Sequence, residues 1–454
     1  MDQLIIEELP YCADTAPLFA RCLDLEQPVY LDSCAPWSAR GRYDIFSAEP
    51  LHTIRQTSNS GLASDSDRQH ADCFSTLKLA LDEFSPNIHN DYHLPFIGGA
   101  IGYFGYDLGR QLEQLPAHTT ADLQLPDALI GIYSWAAIID HRQQRAVLVC
   151  HPRTDRSLLR ELRRRLRDAA DGPATPAFAL RSEFAPTMSY RAYGEAFDAI
   201  QEYIRAGDCY QVNLAQRFSA SCQGSPWAAY RSLRAAAAAP FSAYLQHADS
   251  AVLCLSPERF LHVGNRRVTT SPIKGTIARG SDAASDERMA QQLLHSAKDR
   301  AENLMIVDLL RNDLGKSCIP GTIQVDELFE LQSFATVHHL VSTISGQLQT
   351  DKDAVQLLAG CFPGGSITGA PKVRAMEIIE QLELQRRAVY CGSLGYISCD
   401  GQMDTNIAIR TMVCENDTIH CWAGGGIVAD SECDSEYREC LSKVEKLFAA
   451  LARR

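Results

Sequence analysis

Apolar residues in the first third of the chain fall in short runs broken by polar stretches. VYLDSC (29–34), FIGGAIGYFGYDLG (96–109), AAIIDH (136–141) and AVLVCHP (146–152) have the length and β-branched or aromatic content of strands. TSNSGLASDSD (57–67) is polar throughout and reads as an exposed loop. RSLLRELRRRLRDAAD (156–171) predicts a basic amphipathic helix, and the Ala- and Pro-rich segment 171–187 reads as a linker. No internal repeat is present.

The second half changes period. Ser296 and Asp299 stand at capping spacing before a helix that places Ala301, Met305 and Leu309 on one side, with Leu304 beside them. Asn312, Asp313 and Gly315 supply its stop signal. CFPGGSITGAPKVRAMEIIEQLE (361–383) predicts a Gly-rich turn, Pro371 in a first helical turn, and a helix spaced by Val373, Met376 and Leu382. In DSEYRECLSKVEKLFAAL (434–451), Glu436, Glu439 and Lys443 form a polar row flanking an apolar stripe of Tyr437, Cys440, Val444 and Leu451. Arg267–Thr270 reads as a strand leading into SPIKGTIARG (271–280).

Composition narrows the class. The 454 residues are 46% hydrophobic, which suits a large globular core, and the formal charge of −13 argues against a nucleic acid or an acidic membrane held by bulk charge. An anionic small molecule therefore needs a local positive pocket or a metal ion. The sixteen cysteines include no C-x-x-C pair, so they read as reduced, mostly buried thiols of a cytoplasmic protein. The acidic start MDQLIIEELPYCAD is unlike a signal peptide, and no apolar run is long enough to span a membrane.

Taken singly, the chemistry-bearing residues have ordinary readings. Lys274 fits a surface lysine near a turn, Glu258 an ion pair with Arg259 or another cation, and His339 a satisfied core histidine. Glu436, Glu439 and Lys443 fit exposed helical ion pairs. The ordered blocks alter this. GGAIGYFGYDLGR (98–110), GDCYQVNLAQRF (207–218), LSPERF (255–260), SPIKGT (271–276), AKDRAENLMIVDLLRNDLG (297–315), VHHLVSTISG (337–346), CFPGGSITGAPK (361–372) and AGGGIVADSECDSEYREC (423–440) together resemble the chorismate-utilising enzymes over nearly all of the chain.

The resemblance implies an α/β (α+β type) fold with two packed, mostly antiparallel sheets flanked by helices. It implies an N-terminal region 1–150, a helix and linker 151–187, and a chorismate-binding catalytic region 188–454, with the two large regions sharing one core. Glu258 matches the general acid/base, Lys274 a covalent nucleophile, and His339 a residue assisting chemistry at C4. Gly275, Thr276, Ser366, Tyr390, Arg410, Gly425, Gly426 and Lys443 match substrate-binding positions. Glu302 and Glu439, with Glu436, match the ligands of Mg²⁺. Gln211 stands where relatives that add water place a lysine, and an amide cannot serve as that base.

In anthranilate synthases the 271–276 loop usually reads Pro-Ile-Ala-Gly-Thr. Lys274 therefore points to the branch that aminates chorismate at C4 and keeps the enolpyruvyl group, for 4-aminobenzoate and folate synthesis. The alternatives are the anthranilate-forming branch and a non-catalytic, tryptophan-binding regulatory subunit. No cysteine sits in a glutaminase nucleophile elbow; Cys361 is the nearest imitation. Ammonia is expected free or from a separate glutamine amidotransferase subunit. A tryptophan pocket is implied at Ser33, Arg40, Gly41, Arg42, Tyr43, Pro240, Phe241 and Ser242, with Gly41 departing from the serine usual in relatives.

Overall fold

The computed structural model describes residues 3–38, 41–57, 72–84, 88–167, 173–334 and 337–452. Most of the 57–67 loop and part of the 171–187 segment lie outside them.

The short apolar runs become strands Val29–Asp32, Gly99–Phe104, Trp135–Asp140 and Arg145–Cys150. Among the described residues they belong to two sheets, one of thirteen strands and one of ten, whose ladders are antiparallel. Each sheet joins the two ends of the chain. In the larger, Val29–Asp32 pairs with Phe241–His247; in the smaller, Gly99–Phe104 pairs with Ser393–Ser398. The shared core expected from the sequence is thus built strand by strand.

The larger sheet is covered on both faces, which is why its strands read as continuous apolar runs rather than alternating ones. Side chains on a strand point alternately to opposite faces. Ile45, Val147, Val149, Ala243 and Leu245 enter the core between the sheets. Their neighbours Phe46, Ala146, Leu148 and Tyr244 enter a second core beneath helices Arg156–Arg167, Pro226–Ala237 and Cys433–Ala452. Residues 179–180 and 185–186 of the expected linker pair with strand Gln211–Gln223, so this stretch lies along the sheet.

Helix Ala297–Gly315 is capped as its sequence predicts, with the Ser296 hydroxyl accepting from Asp299 N. Its buried face differs from the expected one. Asn303, Ile306, Val307, Leu310 and Leu314 are buried, while Ala301 is exposed and Met305 and Leu309 are half-buried. The helix is apolar on two sides, so spacing alone did not select the face. Likewise helix Lys372–Leu382 begins after Pro371 and buries Ala375, Met376, Ile378 and Ile379, leaving Val373 exposed. All sixteen cysteines are free thiols, and most are buried. No helix among the described residues is long and apolar enough to cross a membrane.

The Gly-rich segment 361–370 is secured by side chains. Buried Arg387 donates to Ile367 O at 3.0 Å, to Asn213 O at 2.6 Å and to the Glu383 carboxylate at 2.6 and 3.0 Å. From the other side, Lys372 donates to Asp313 at 2.6 Å and to Cys361 O at 3.0 Å. Removing one partner of a buried pair leaves an uncompensated charge. Arg387→Met is expected to lower unfolding stability by roughly 3–5 kcal/mol in urea titrations; a loss below about 1 kcal/mol would contradict this account of the tie.

Candidate active site

The chain crosses from the larger sheet to the smaller between Ser250–Ser256 and Arg259–Gly264, and Glu258 sits at that crossing. It crosses back between Met403–Asn406 and Thr411–Glu415, and Arg410 sits there. Leu255 N donates to Arg410 O at 3.1 Å, and Ile407 N donates to Glu258 O at 3.1 Å, so the two crossings brace each other. The candidate site is this seam.

Lys274 lies on strand Ile273–Ala278, whose ladder with Val337–Gln347 shifts register between Lys274 and Thr276. Gly275 makes the shift possible. Its φ is +80°, and a Cβ there would stand 2.9 Å from Leu293 Cδ1 and 3.0 Å from Asp299 Cβ. Beyond the shift Thr276 faces His339, and its hydroxyl lies 2.8 Å from His339 Nδ1.

Ser366 joins the two expected catalytic groups. Lys274 Nζ donates to its carbonyl at 3.0 Å, and its hydroxyl donates to Glu258 Oε1 at 2.8 Å. Burial pushes the Glu258 carboxyl up to about 7, against the smaller opposing pulls of the Ser366 bond and the Lys274 charge. Burial pushes Lys274 the other way, below its ordinary value; Glu302, Glu258 and Glu439 oppose this and Lys443 adds to it.

Acidic groups gather on the adjacent side. Buried Glu436 accepts from Ser431 Oγ at 2.7 Å and Lys298 Nζ at 3.3 Å. Lys298 also lies 4.0 Å from Glu302, which accepts no hydrogen bond from the described residues. Burial raises the Glu302 pKa, with Asp299 and Glu436 adding to it while Lys274 and Lys298 oppose. Burial acts the same way on Glu439, but Lys443 at 2.7 Å, together with Lys298 and Lys274, outweighs it and holds Glu439 below its ordinary value. Lys443 also donates to Gly424 O at 2.9 Å.

Gly425 opens this side to a ligand. The position of a Cβ there would be 3.2 Å from Glu436 Oε2, 3.7 Å from Glu439 Oε1 and 3.7 Å from Lys443 Nζ. The donor set is hard carboxylate oxygen, which suits Mg²⁺, an ion that retains waters and takes one or two protein carboxylates. Among the described residues no three His, Cys, Asp or Glu side chains form a ready metal-binding group, so an ion here would take some of Glu302, Glu436 and Glu439 directly and the rest through water. Beside Gly426 stands Gln211, buried, with both amide atoms unpartnered among the described residues.

Arg410 pairs with no carboxylate among the described residues, and burial lowers its pKa from the ordinary value. An unpaired guanidinium deep in a seam is an anion receptor. Tyr390 is buried and stacks at 6.3 Å on Trp422; it makes no direct bond to the Lys274–Glu258 pair. Sequence reasoning missed Lys298 and Ser431. The i, i+4 spacing of Lys298 and Glu302 was visible, whereas the contact with Glu436 required the fold.

A separate cavity of about 110 Å³ is lined by Ser33, Gly41, Arg42, Tyr43, Pro240, Phe241 and Ser242. Arg40 lies outside the described residues. A Cβ on Gly41 would fall 2.2 Å from Ser33 O, which accounts for glycine at that position.

Residues 26–449 match the family described as chorismate binding enzyme, and the chain belongs to that family. It is 45% identical over 438 residues to aminodeoxychorismate synthase component 1 of Escherichia coli strain K12, covering 96% of this chain and 95% of the relative. It is 41% identical over 360 residues to anthranilate synthase component 1 of Thermus thermophilus, covering 79% of this chain and 78% of the relative. The crystal structure of anthranilate synthase component I from Streptococcus pneumoniae TIGR4 superposes with a TM-score of 0.78 at 31% identity, covering 90% and 93% of the two chains. The menaquinone-specific isochorismate synthase of Escherichia coli shares the fold, with a TM-score of 0.74 at 16% identity and coverage of 99% and 95%.

A carboxyl whose pKa is raised on folding stabilises the protein below its unfolded pKa, and that contribution is lost as pH rises through the folded value. For Glu258 the window runs from 4.5 to about 7. Relative to Glu258→Gln, the wild type is expected to lose roughly 3 kcal/mol of stability from below pH 4.5 to above pH 7. Parallel pH profiles in denaturant titrations would refute the buried-acid assignment.

Proposed function

We propose that this chain acts as an aminodeoxychorismate synthase component 1, converting chorismate and ammonia to 4-amino-4-deoxychorismate for 4-aminobenzoate and folate synthesis. The observation that carries this reading is the inverted pair at the seam. Lys274 is shifted toward the free amine and Glu258 toward the protonated acid, with Ser366 bonded to both. Both shifts run in the direction that helps an amine to attack while an acid releases a hydroxyl.

Chorismate is a dianion with an allylic C4 hydroxyl. Arg410, Tyr390 and the Gly425–Gly426 backbone bind one carboxylate, with Lys443 adding positive charge. Gly275 and Thr276 approach the ring carboxylate. Glu302 and Glu439, with Glu436, would hold Mg²⁺ directly or through water, and the ion would supply neutralising charge for that carboxylate. The Lys274 nitrogen forms a bond to C2, both conjugated ring double bonds shift, and the C4–O bond breaks as Glu258 gives its proton to the departing oxygen, which leaves as water. His339 assists at C4. Ammonia then bonds to C4 and gives one proton to the Glu258 carboxylate, the double bonds return, and the C2–N bond to Lys274 breaks. The sum is one amine gained and one water lost. Gln211 supplies no base for addition of water at C2.

The partner reading follows from the name of the 45%-identical relative, a component 1. A glutamine amidotransferase subunit delivers ammonia from glutamine, giving a cytoplasmic heterodimer. In this reading residues 188–454 are the catalytic region, 1–150 complete both sheets, and 151–187 connect them. The 41%-identical anthranilate synthase relative makes the aromatic product the second reading.

Purified protein with chorismate, ammonium and Mg²⁺ should yield an amino-substituted product that retains the enolpyruvyl group, with no stoichiometric pyruvate. Glu258→Gln should slow turnover about 10²–10⁴-fold. Lys274→Ala should abolish the lysine adduct detected by intact mass. Anthranilate with equimolar pyruvate would establish the second reading instead.

The cavity around Ser33 and Phe241 is proposed to hold tryptophan, as a regulatory or purely structural ligand. Equilibrium dialysis of refolded protein against labelled tryptophan should show one equivalent retained; no retention would dispose of this site.

A further inference from the structure

Two lysines meet the acidic side of the seam, and they are held differently. Lys443 is fixed by two partners, Glu439 at 2.7 Å and Gly424 O at 2.9 Å. Among the described residues Lys298 hydrogen-bonds only to Glu436, at 3.3 Å; it lies 4.0 Å from Glu302 and leaves 47% of its side chain exposed. It projects from helix Ala297–Gly315 and reaches helix Cys433–Ala452.

The carboxylates it touches retain binding capacity. Glu302 accepts no hydrogen bond from the described residues. Glu436 uses Oε1 for Ser431 and Lys298, while Oε2 faces the space above Gly425 that Glu439 Oε1 also approaches. Without a compensating cation, Glu302, Glu436 and Glu439 would repel one another across two helices. A divalent ion at bonding distance from these oxygens would stand next to the ammonium with like charge.

We propose that Lys298 is a resident counter-ion, its ammonium holding Glu302 and Glu436 together in the cation-free protein and being expelled when a divalent cation takes the same carboxylates. The proposal rests on assigning Mg²⁺ to these residues. It gives the protein a defined cation-free state in which one flexible side chain keeps the ligands gathered. Binding is then an exchange of cations and opposes less acid–acid repulsion than an empty cluster would.

Titration of Mn²⁺ into the full chain without chorismate, by calorimetry and by electron paramagnetic resonance of the free ion, tests this directly. Lys298→Met keeps the stem and the helix but removes the charge. It should bind Mn²⁺ about tenfold more tightly than wild type, whereas Lys298→Arg should remain within about threefold. In EDTA the methionine variant should melt below wild type, and added Mg²⁺ should raise its Tm by more. Unchanged or weaker Mn²⁺ affinity in Lys298→Met would overturn the proposal, as would absence of binding in both proteins. The titration contains no chorismate, so its failure leaves the product assay standing, and failure of the product assay leaves the titration decisive.

Discussion

The arrangement depends on one buried guanidinium. Arg387 is expensive to desolvate unless every direction of its fork is met. It is met by Ile367 of the Gly-rich segment, Asn213 of a central strand and Glu383 at the end of a helix. These groups belong to three separate elements, so the ion is satisfied only when all three are docked. Ser366 is the neighbour of Ile367, and its carbonyl and hydroxyl face Lys274 and Glu258. A cation remote from Lys274 and Glu258 thus fixes the residue that joins them. The Asp313–Lys372 pair restrains the same segment from the helix that carries Glu302 and Lys298.

Desolvation then does opposite things to two neighbours. It favours the uncharged form of each, so the acid is shifted toward keeping its proton and the amine toward losing its own. Their mutual attraction works against this, as do the acidic groups around Lys274, but burial is the leading influence on both. The crossing of the chain between sheets is what makes this burial available. A polar side chain at a sheet crossing is enclosed by both sheets, and Glu258 and Arg410 occupy the outward and return crossings.

Much of this was legible in the sequence, at two levels. Strand existence followed from short apolar runs, because burial of the larger sheet on both faces makes each strand apolar throughout. The gathering of Lys274 and Glu258 around Ser366, and of Thr276 with His339, was legible only through the ordered blocks, since each residue has an ordinary reading alone. Facing was less legible. Helix Ala297–Gly315 is apolar on two sides, and the side that the spacing of Ala301, Met305 and Leu309 picked out is the less buried one, where Leu309 approaches Gly365. Glu436 was read as part of a polar row beside the apolar stripe, yet it is buried in line with Cys440 and Val444. Lys298 escaped notice because its hydrogen-bond partner Glu436 lies on another helix, 138 residues away, at a separation no periodicity encodes; Ser431 is only five residues from Glu436, but it precedes the helix and stands outside its periodic pattern.

The protein carries a net charge of −13, so it cannot attract a dianion by its overall field. The seam solves this locally. Arg410 has no acidic partner among the described residues and remains open to a carboxylate, whereas Lys298 and Lys443 are engaged by Glu436, Glu302 and Glu439. The positive charge is therefore divided between a guanidinium without an acidic partner among the described residues and ammonium groups held by carboxylates whose oxygens suit a divalent cation. In the proposed reading, a cation on those carboxylates would add positive charge on one side of the seam while Arg410 supplies it on the other. An acidic protein would then meet an acidic substrate with local charge that its composition lacks.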